Sequence, residues 1–344
     1  MPRIFLAITI SVLSTLAAAS PTGTPIPSNG NSVGKIAFVS EREGKAELYT
    51  MNADGSNQQR LTYSPEGWSS LFPAWSPDGN QLLFTYNNIT APHCEDYLYT
   101  INVDGTNRYK ISQGDHCDHD ATWSPDGKHI AFISNRSDWP NPSLYEMDID
   151  GDNVKLLLKA MDNGNPRYSP DGKSLVLHTW GSRLPELKLI KFTKGHKGES
   201  TEALTDVDFD YSINTQNIMD HGDSNPAWAP DGKFIAFVSS RKRNVECGLG
   251  RNCIYIMNVA NKDTQPLKLK TLLDIAGPEA APEWLQHLSW SPDGKYLAFV
   301  ARDSQDRKLS IWITSIDGSY LKELTDAQSS DNYQPVWQPN QSSH

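Results

Sequence analysis

Two short segments combine histidine with carboxylates, the side chains that suit zinc or manganese. They are Asp115-His116-Cys117-Asp118-His119-Asp120 and Asp220-His221-Gly222-Asp223. In an extended chain successive side chains point to opposite sides, so neighbouring candidate ligands would face away from each other. Neither segment is a preformed metal cage, and the simpler interpretation of both is an acidic loop.

Covalent hydrolysis needs a nucleophile elbow, Gly-x-Ser-x-Gly, on a sharp turn between a strand and a helix. The pattern occurs once, at Gly30 to Gly34, in a stretch rich in Pro, Ser, Asn and Gly. That context fits a flexible leader rather than an elbow. We therefore do not expect a serine hydrolase.

The elements that could position reactive side chains come from a repeat of 45 to 62 residues. Its marker is an aromatic residue followed by Ser-Pro-Asp-Gly or a close variant. The six markers begin at Trp75, Trp123, Tyr168, Trp228, Trp290 and, in worn form, Trp337. Pro fixes φ in such a turn and Gly supplies the left-handed residue, so each marker predicts a β-hairpin.

Three further strands follow in each repeat. In the first they are Ile36 to Ser40, Leu48 to Asn52 and the short Arg60 to Thr62; the short strand of the fifth is expected at Thr271 to Leu273. With the strand that ends in the aromatic residue, each repeat has four strands. Radial repetition of such sheets is typical of β-propellers.

The chain starts with three strands of a repeat and ends with a lone strand, Gln334 to Gln338. We expect this strand to complete the first blade as its innermost member. The prediction is an all-β, six-bladed β-propeller of four-stranded antiparallel blades, closed by the C-terminal strand.

These repeats resemble the WD40-like (PD40) repeats of the TolB-like propeller family over nearly all of residues 34–340. The resemblance implies the fold. Related propellers serve as the partner-binding half of TolB, as gating domains of prolyl-oligopeptidase-like enzymes and as stand-alone exported proteins.

Alignment on the aromatic markers places one residue of each repeat at the channel mouth, three positions earlier. The six are Phe72, Asp120, Asn165, Asn225, His287 and Gln334. Five are polar, so the ring could hold a polar ligand group, ordered water or a divalent cation; simple solvation beside a wet channel is the alternative. We add His119 and Asp223 to the candidate ligand-binding residues.

Long connections gather on one face, and function concentrates on loops held by a rigid scaffold. They include 87–96, 206–225, 241–253 and 274–287. Four cysteines allow three pairings. We propose Cys94 with Cys117, which would tie two loops of this face together, and Cys247 with Cys253.

Residues 1–19 read as a signal peptide, because Arg3 is followed by a short apolar run and small residues. Residues 20–33 read as a flexible leader, and 34–340 as a single propeller domain. No later segment has the roughly 20 apolar residues of a membrane helix. We expect an exported protein, periplasmic or extracellular.

The formal net charge of −10 argues against nucleic acid, whose binding requires a basic surface. The first hypothesis is a monomeric, non-catalytic module that binds an envelope or secreted protein, a peptide or another ligand, with no resident cofactor. The alternative is a propeller enzyme, of lyase or lactonase type, with a metal at the channel mouth.

Overall fold

The computed structural model describes residues 34–136, 142–159, 163–180, 185–192, 200–205, 222–240, 252–269, 284–302, 308–326 and 330–340. The predicted signal peptide and leader, residues 1–33, lie outside these ranges. No helix among the described residues has the length and apolar character needed to cross a membrane.

All regular structure in the described ranges is β-strand. The strands are β1 Lys35–Ser40, β2 Glu47–Asn52, β3 Gln59–Arg60, β4 Trp68–Trp75, β5 Gln81–Asn88, β6 Asp96–Asn102, β7 Tyr109–Lys110, β8 Asp118–Trp123, β9 His129–Ser134, β10 Ser143–Asp148, β11 Lys155–Leu158, β12 Asn163–Tyr168, β13 Ser174–Trp180, β14 Pro185–Lys191, β15 Ser200–Ala203, β16 Asp223–Trp228, β17 Phe234–Ser239, β18 Cys253–Asn258, β19 Thr264–Pro266, β20 Trp284–Trp290, β21 Tyr296–Arg302, β22 Ser310–Ser315, β23 Leu321–Glu323 and β24 Asn332–Trp337.

These strands form six separate antiparallel sheets of four. Blade 1 has the order β24-β1-β2-β3, and blades 2 to 6 follow as β4–β7, β8–β11, β12–β15, β16–β19 and β20–β23. Each innermost strand contacts the innermost strand of the next blade, and β24 contacts both β20 and β4. The ring is therefore closed by the C-terminal strand, which confirms the predicted fold and its closure.

The Ser-Pro-Asp-Gly hairpins close in the expected way. In blade 2 the Gly79 N–H donates to the Ser76 carbonyl at 2.9 Å, and Gly79 has φ +70°. The Ser76 hydroxyl donates to Asp78 at 2.6 Å and accepts from the Gln81 N–H at 2.9 Å. Ser and Asp thus satisfy polar groups that the turn leaves without ladder partners.

The hydrophobic core lies between the blades. One cluster joins Trp75 to Val39 of β1 and to Phe84 of β5, so it spans blades 1 and 2. The Trp75 indole N–H also donates to the Val336 carbonyl of blade 1 at 3.0 Å, and Trp290 bonds the Ala227 carbonyl of the preceding blade in the same way. Trp75 and Trp290 therefore each connect their own blade to the preceding one by a hydrogen bond.

The outermost strands differ most from the prediction. The expected strand Thr271 to Leu273 lies outside the described residues, and the fourth strand of blade 5 is Thr264–Pro266. This strand follows β18 after a short turn without Asp-Gly, in which Lys262 takes the left-handed conformation at φ +61°. The expected position was wrong because blade 5 lacks the Asp-Gly pair that precedes the outermost strand of blades 1, 2, 3 and 6, at Asp54-Gly55, Asp104-Gly105, Asp150-Gly151 and Asp317-Gly318.

Candidate functional site

Every innermost strand contains a β-bulge at the same place. The pairing of β8 with β9, for example, shifts between His119 and Thr122. The residue at each bulge has φ between +49° and +54°: Phe72, Asp120, Asn165, Asn225, His287 and Gln334. Non-glycine residues rarely adopt this conformation, which costs about 1–2 kcal/mol per residue. Its recurrence in all six blades makes the bulge a built feature of the ring.

The bulges turn six side chains towards one narrow central cavity, in which the space open to the centres of water molecules is about 20 Å³. Its wall consists of these six bulge residues together with Arg167 and apolar residues beside them, among them Pro73, Pro226 and Pro335. We call the six residues the channel ring. The structure thus brings together five of the seven predicted ligand-binding residues: Asp120, Asn165, Asn225, His287 and Gln334.

Some ring side chains bond the backbone of the next blade. The bulge at Phe72 turns its N–H out of the ladder, and the Gln334 side-chain oxygen of blade 1 accepts it at 2.6 Å. The Asn165 N–H donates to the Asp120 carboxylate of blade 3 at 2.5 Å. Phe72 has no acceptor to offer blade 3, and there the Asp120 N–H donates to the Thr85 hydroxyl at 3.3 Å. Part of the ring's polarity therefore holds neighbouring blades in place.

Arg167 is a site residue that our sequence reasoning missed. It lies one position before the aromatic marker Tyr168, where the other repeats have small or apolar residues: Ala74, Thr122, Ala227, Ser289 and Val336. That contrast was the available signal. Its Nη1 lies 3.9 Å from the Asp120 carboxylate and donates to the Pro166 carbonyl at 2.8 Å. The Arg167 carbonyl is held by the Trp228 indole at 3.2 Å.

His287 brings an imidazole to the cavity. Desolvation lowers its pKa to about 4, and the positive charges of Arg167 and His178 add to this, while Asp120 opposes it. The His287 imidazole is therefore neutral near pH 7. Within the described ranges, its buried Nδ1 has no hydrogen-bond partner, so it is free to bond a molecule that enters the cavity.

His119 and Asp223 do not line this cavity. The half-exposed His119 ring lies 6.4 Å from the Phe72 ring. Asp223 is fully buried and pairs across the sheet with Ser239, as Asp118 pairs with Ser134 in blade 3. Asp118 forms a two-pronged ion pair with Arg136 at 2.8 and 2.9 Å, which identifies this strand position as a structural anchor.

The proposed disulfide Cys94–Cys117 is present, with the two Cα atoms 5.7 Å apart. It joins the β5–β6 loop of blade 2 to the segment leading into β8 of blade 3, on the loop-rich face. Cys253 is also disulfide-bonded; its proposed partner Cys247 lies outside the described residues.

Within the described ranges, one cluster brings together three potential metal ligands: Cys94, Asp96 and Cys117. Both of its sulfur atoms are committed to the disulfide, so neither is a thiolate ligand. Asp220 and His221 of the second acidic segment lie outside the described residues.

Comparison with known proteins supports the architecture. A family model for the PD40 TolB beta propeller domain matches residues 67–219, which hold blades 2 to 4. TolB from Acinetobacter baumannii superposes with a TM-score of 0.67 at 22% identity, covering 89% of this chain and 67% of that chain. An oligogalacturonate lyase in complex with manganese gives a TM-score of 0.54 at 16% identity, over 86% of this chain and 73% of that chain.

Peptidases also match in sequence. Dipeptidyl-peptidase 5 of Porphyromonas endodontalis is 23% identical over 270 residues, which is 78% of this chain. The chain spans 34% of the length of that enzyme and 19% of the uncharacterized peptidase YuxL of Bacillus subtilis. At such identities the structural likenesses show the fold alone. The chain is therefore a six-bladed β-propeller whose residues 67–219 match the PD40 TolB beta propeller domain.

Proposed function

We propose that this protein is an exported, non-catalytic binding module that holds an envelope or secreted protein or peptide through its loop-rich face and central cavity. The observation that carries the proposal is that some channel-ring side chains bond the neighbouring blade whereas others do not. Asp120 and Gln334 bond the backbone of the next blade. By contrast, within the described residues the buried His287 Nδ1 has no hydrogen-bond partner, and the Asn165 amide lines the same cavity. Uncommitted polar groups in a rigid cavity are suited to recognition.

The state of Asp120 favours binding over catalysis. A general base needs a carboxylate that can reach and accept a proton from its substrate. One Asp120 oxygen already accepts the Asn165 N–H, and the other faces Arg167. The residue is also 5% exposed. The Asp120 carboxylate is therefore better placed to stabilise the channel ring than to accept a proton from a substrate.

Export is proposed on the signal-like N-terminal sequence and on the disulfide. Disulfides persist in oxidising compartments such as the periplasm and the extracellular space, and Cys94–Cys117 joins two adjacent blades.

We further propose a monomer, since radial closure leaves each blade flanked by two others of the same chain. Light scattering of the purified protein tests the oligomeric state.

The binding proposal is tested by selecting peptides from a random display library on the immobilised full-length protein. Selected peptides are then measured by calorimetry against the wild type, the double variant Asn165→Ala/Asn225→Ala and the control Lys173→Gln, whose side chain is 80% exposed in a hairpin of blade 4. We expect the double variant to lose at least about tenfold in affinity, equivalent to about 1.4 kcal/mol, and the control to match the wild type. Equal affinity of all three proteins would refute the site.

The metal-dependent alternative is tested on the same protein. Thermal melting with added manganese, zinc or calcium chloride, together with elemental analysis, measures whether the cavity takes a cation. We expect no stoichiometric metal and no melting shift that depends on His287. A shift that His287→Gln abolishes would favour the enzyme hypothesis.

A further inference from the structure

Two arginines of neighbouring blades hold their carboxylate partners very differently. Arg136 grips Asp118 with two bonds to Nη2, at 2.8 and 2.9 Å, and its Nε contacts the Ser134 hydroxyl at 3.0 Å. Arg167 stands 3.9 Å from Asp120, beyond hydrogen-bond distance. Its one hydrogen bond within the described ranges goes to the Pro166 carbonyl. Since a guanidinium carries five N–H groups, Arg167 retains donors that Arg136 has spent.

The spare donors of Arg167 share a cavity with other groups that can bond an oxygen anion. The cavity wall includes the Asn165 amide and the His287 ring, and Nδ1 of that ring is buried without a partner in the described structure. Asp120 is held by the Asn165 backbone and attracts the guanidinium across 3.9 Å without occupying its hydrogen-bond donors.

We propose that this cavity binds a single carboxylate group, with Arg167 as the charged donor and Asn165 and His287 as supporting donors. The inference rests on the proposed function, and it names the part of the partner that enters the channel: an acidic side chain or a chain terminus. The planar fork of arginine matches the two oxygens of a carboxylate.

The charges that line the cavity favour a monoanion over other ligands. Arg167 contributes one positive charge and Asp120 one negative charge, so the cavity is neutral when His287 is neutral. A phosphate dianion would meet the Asp120 charge with only one cation to offset it. A metal cation would meet the guanidinium directly.

Binding of an anion should change the protonation of His287. The groups that face this imidazole are Asp120 from β8, Arg167 from β12 and His178 from β13. An added carboxylate stabilises the imidazolium, so it raises the pKa of His287 and is itself bound more tightly as the pH falls.

The experiment uses the full-length protein with three defined probes: N-acetylglycine, its neutral analogue N-acetylglycinamide, and inorganic phosphate. NMR of the His287 ring follows each titration at pH 7 and pH 5. We expect N-acetylglycine to shift the His287 signals and to raise its pKa, with tighter binding at pH 5. The neutral analogue should leave them unchanged.

Variants assign the effect to Arg167. Arg167→Gln should weaken N-acetylglycine binding by about tenfold or more, since it removes a charge-assisted hydrogen bond, while Lys173→Gln removes the same charge from an exposed site of the same blade and should bind normally. If Arg167→Gln does not fold, Arg167→Lys is measured instead; we expect it to keep part of the affinity for N-acetylglycine, since lysine keeps the charge but lacks the planar guanidinium. The pH dependence of N-acetylglycine binding to the wild type tests the inference without any variant.

Several results would overturn the inference: no response to N-acetylglycine, an equal response to the neutral analogue, or preference for phosphate. These results are separate from the binding proposal. Peptides that need Asn165 and Asn225 but carry no essential carboxylate would sustain the proposed function and remove this inference. If N-acetylglycine binds but no selected peptide depends on Asn165 and Asn225, this inference would stand and the proposed peptide-binding function would be refuted.

Discussion

The carboxylate of Asp120 accepts the backbone N–H of Asn165 at 2.5 Å, across the boundary between blades 3 and 4. Both residues lie at left-handed bulges, with φ of +51° and +50°. A bulge withdraws an N–H from the strand ladder, and an unpaired buried N–H is costly. The side chain of one blade therefore stabilises the strained backbone of the next, which couples the stability of the ring to the geometry of the cavity.

Removing this acceptor should destabilise the protein. We predict that Asp120→Ala lowers the free energy of unfolding by about 2–4 kcal/mol, since it strands a buried N–H and an arginine. Asp120→Asn keeps an acceptor oxygen and should lose less than half as much. Urea denaturation measures both, with Lys128→Ala, an exposed side chain in a turn of the same blade, as control. An Asp120→Ala loss no larger than that of the control would contradict this role.

His287 should make stability depend on pH. Its folded pKa of about 4 lies below the ordinary value of 6.5, so the unfolded chain binds more protons between these values. Stability is then full above about pH 6.5 and falls as the pH drops towards 4, by about 1–2 kcal/mol between pH 7 and pH 5. Denaturation midpoints at the two pH values measure the change.

The matched comparison for this prediction uses two histidine variants. His287→Gln should lose that part of the pH dependence, whereas His93→Gln, in the exposed β5–β6 loop, should retain it. If both variants behave like the wild type, the imidazole of His287 is not the titrating group.

The disulfide should contribute to the stability of the loop-rich face. Cys94 and Cys117 close a segment with a separation of 23 residues, and a loop of this size is worth about 2–4 kcal/mol. We predict a loss of that size for Cys94→Ser/Cys117→Ser in urea denaturation. Reductant should lower the free energy of unfolding of the wild type more than that of the double variant. An equal loss in both proteins would show that the effect of reductant comes from a disulfide other than Cys94–Cys117.

Closure of the ring depends on the last strand. A chain truncated after Asp331 lacks β24, so blade 1 loses its innermost member and Trp75 loses the Val336 carbonyl. We expect no cooperative unfolding transition by tryptophan fluorescence. A chain truncated after Asn340 keeps all described contacts of β24 and should unfold like the full-length protein. A cooperative, native-like transition in the shorter chain would contradict closure by this strand.

Much of the fold could be predicted from the repeats, because Ser-Pro-Asp-Gly has a local mechanism. Ser76, Asp78 and Gly79 satisfy the turn within a few residues of sequence. The outer strand of blade 5 could not be placed in this way, since its turn relies on Lys262 in a left-handed conformation, which no Asp-Gly pair announces.

The sequence could predict where the residues of the channel ring lie, but not which contacts they make. Counting back from the aromatic marker found Asp120 and His287, because repeats place equivalent residues alike. The same count could not tell that Asp120 is committed to Asn165, or that Arg167 reaches the cavity from the neighbouring position. Such contacts join separate blades, and they depend on how the bulges turn the side chains.

We propose that this propeller binds its ligand at the channel ring. Side-chain amide NMR of Asn165 and Asn225, with and without a selected peptide, tests it most directly. Asn80, in an exposed hairpin on the opposite face, is the internal control. We predict that saturation with peptide shifts the amide signals of Asn165 and Asn225 and leaves that of Asn80 in place. Tight binding that leaves both ring amides unshifted would contradict it.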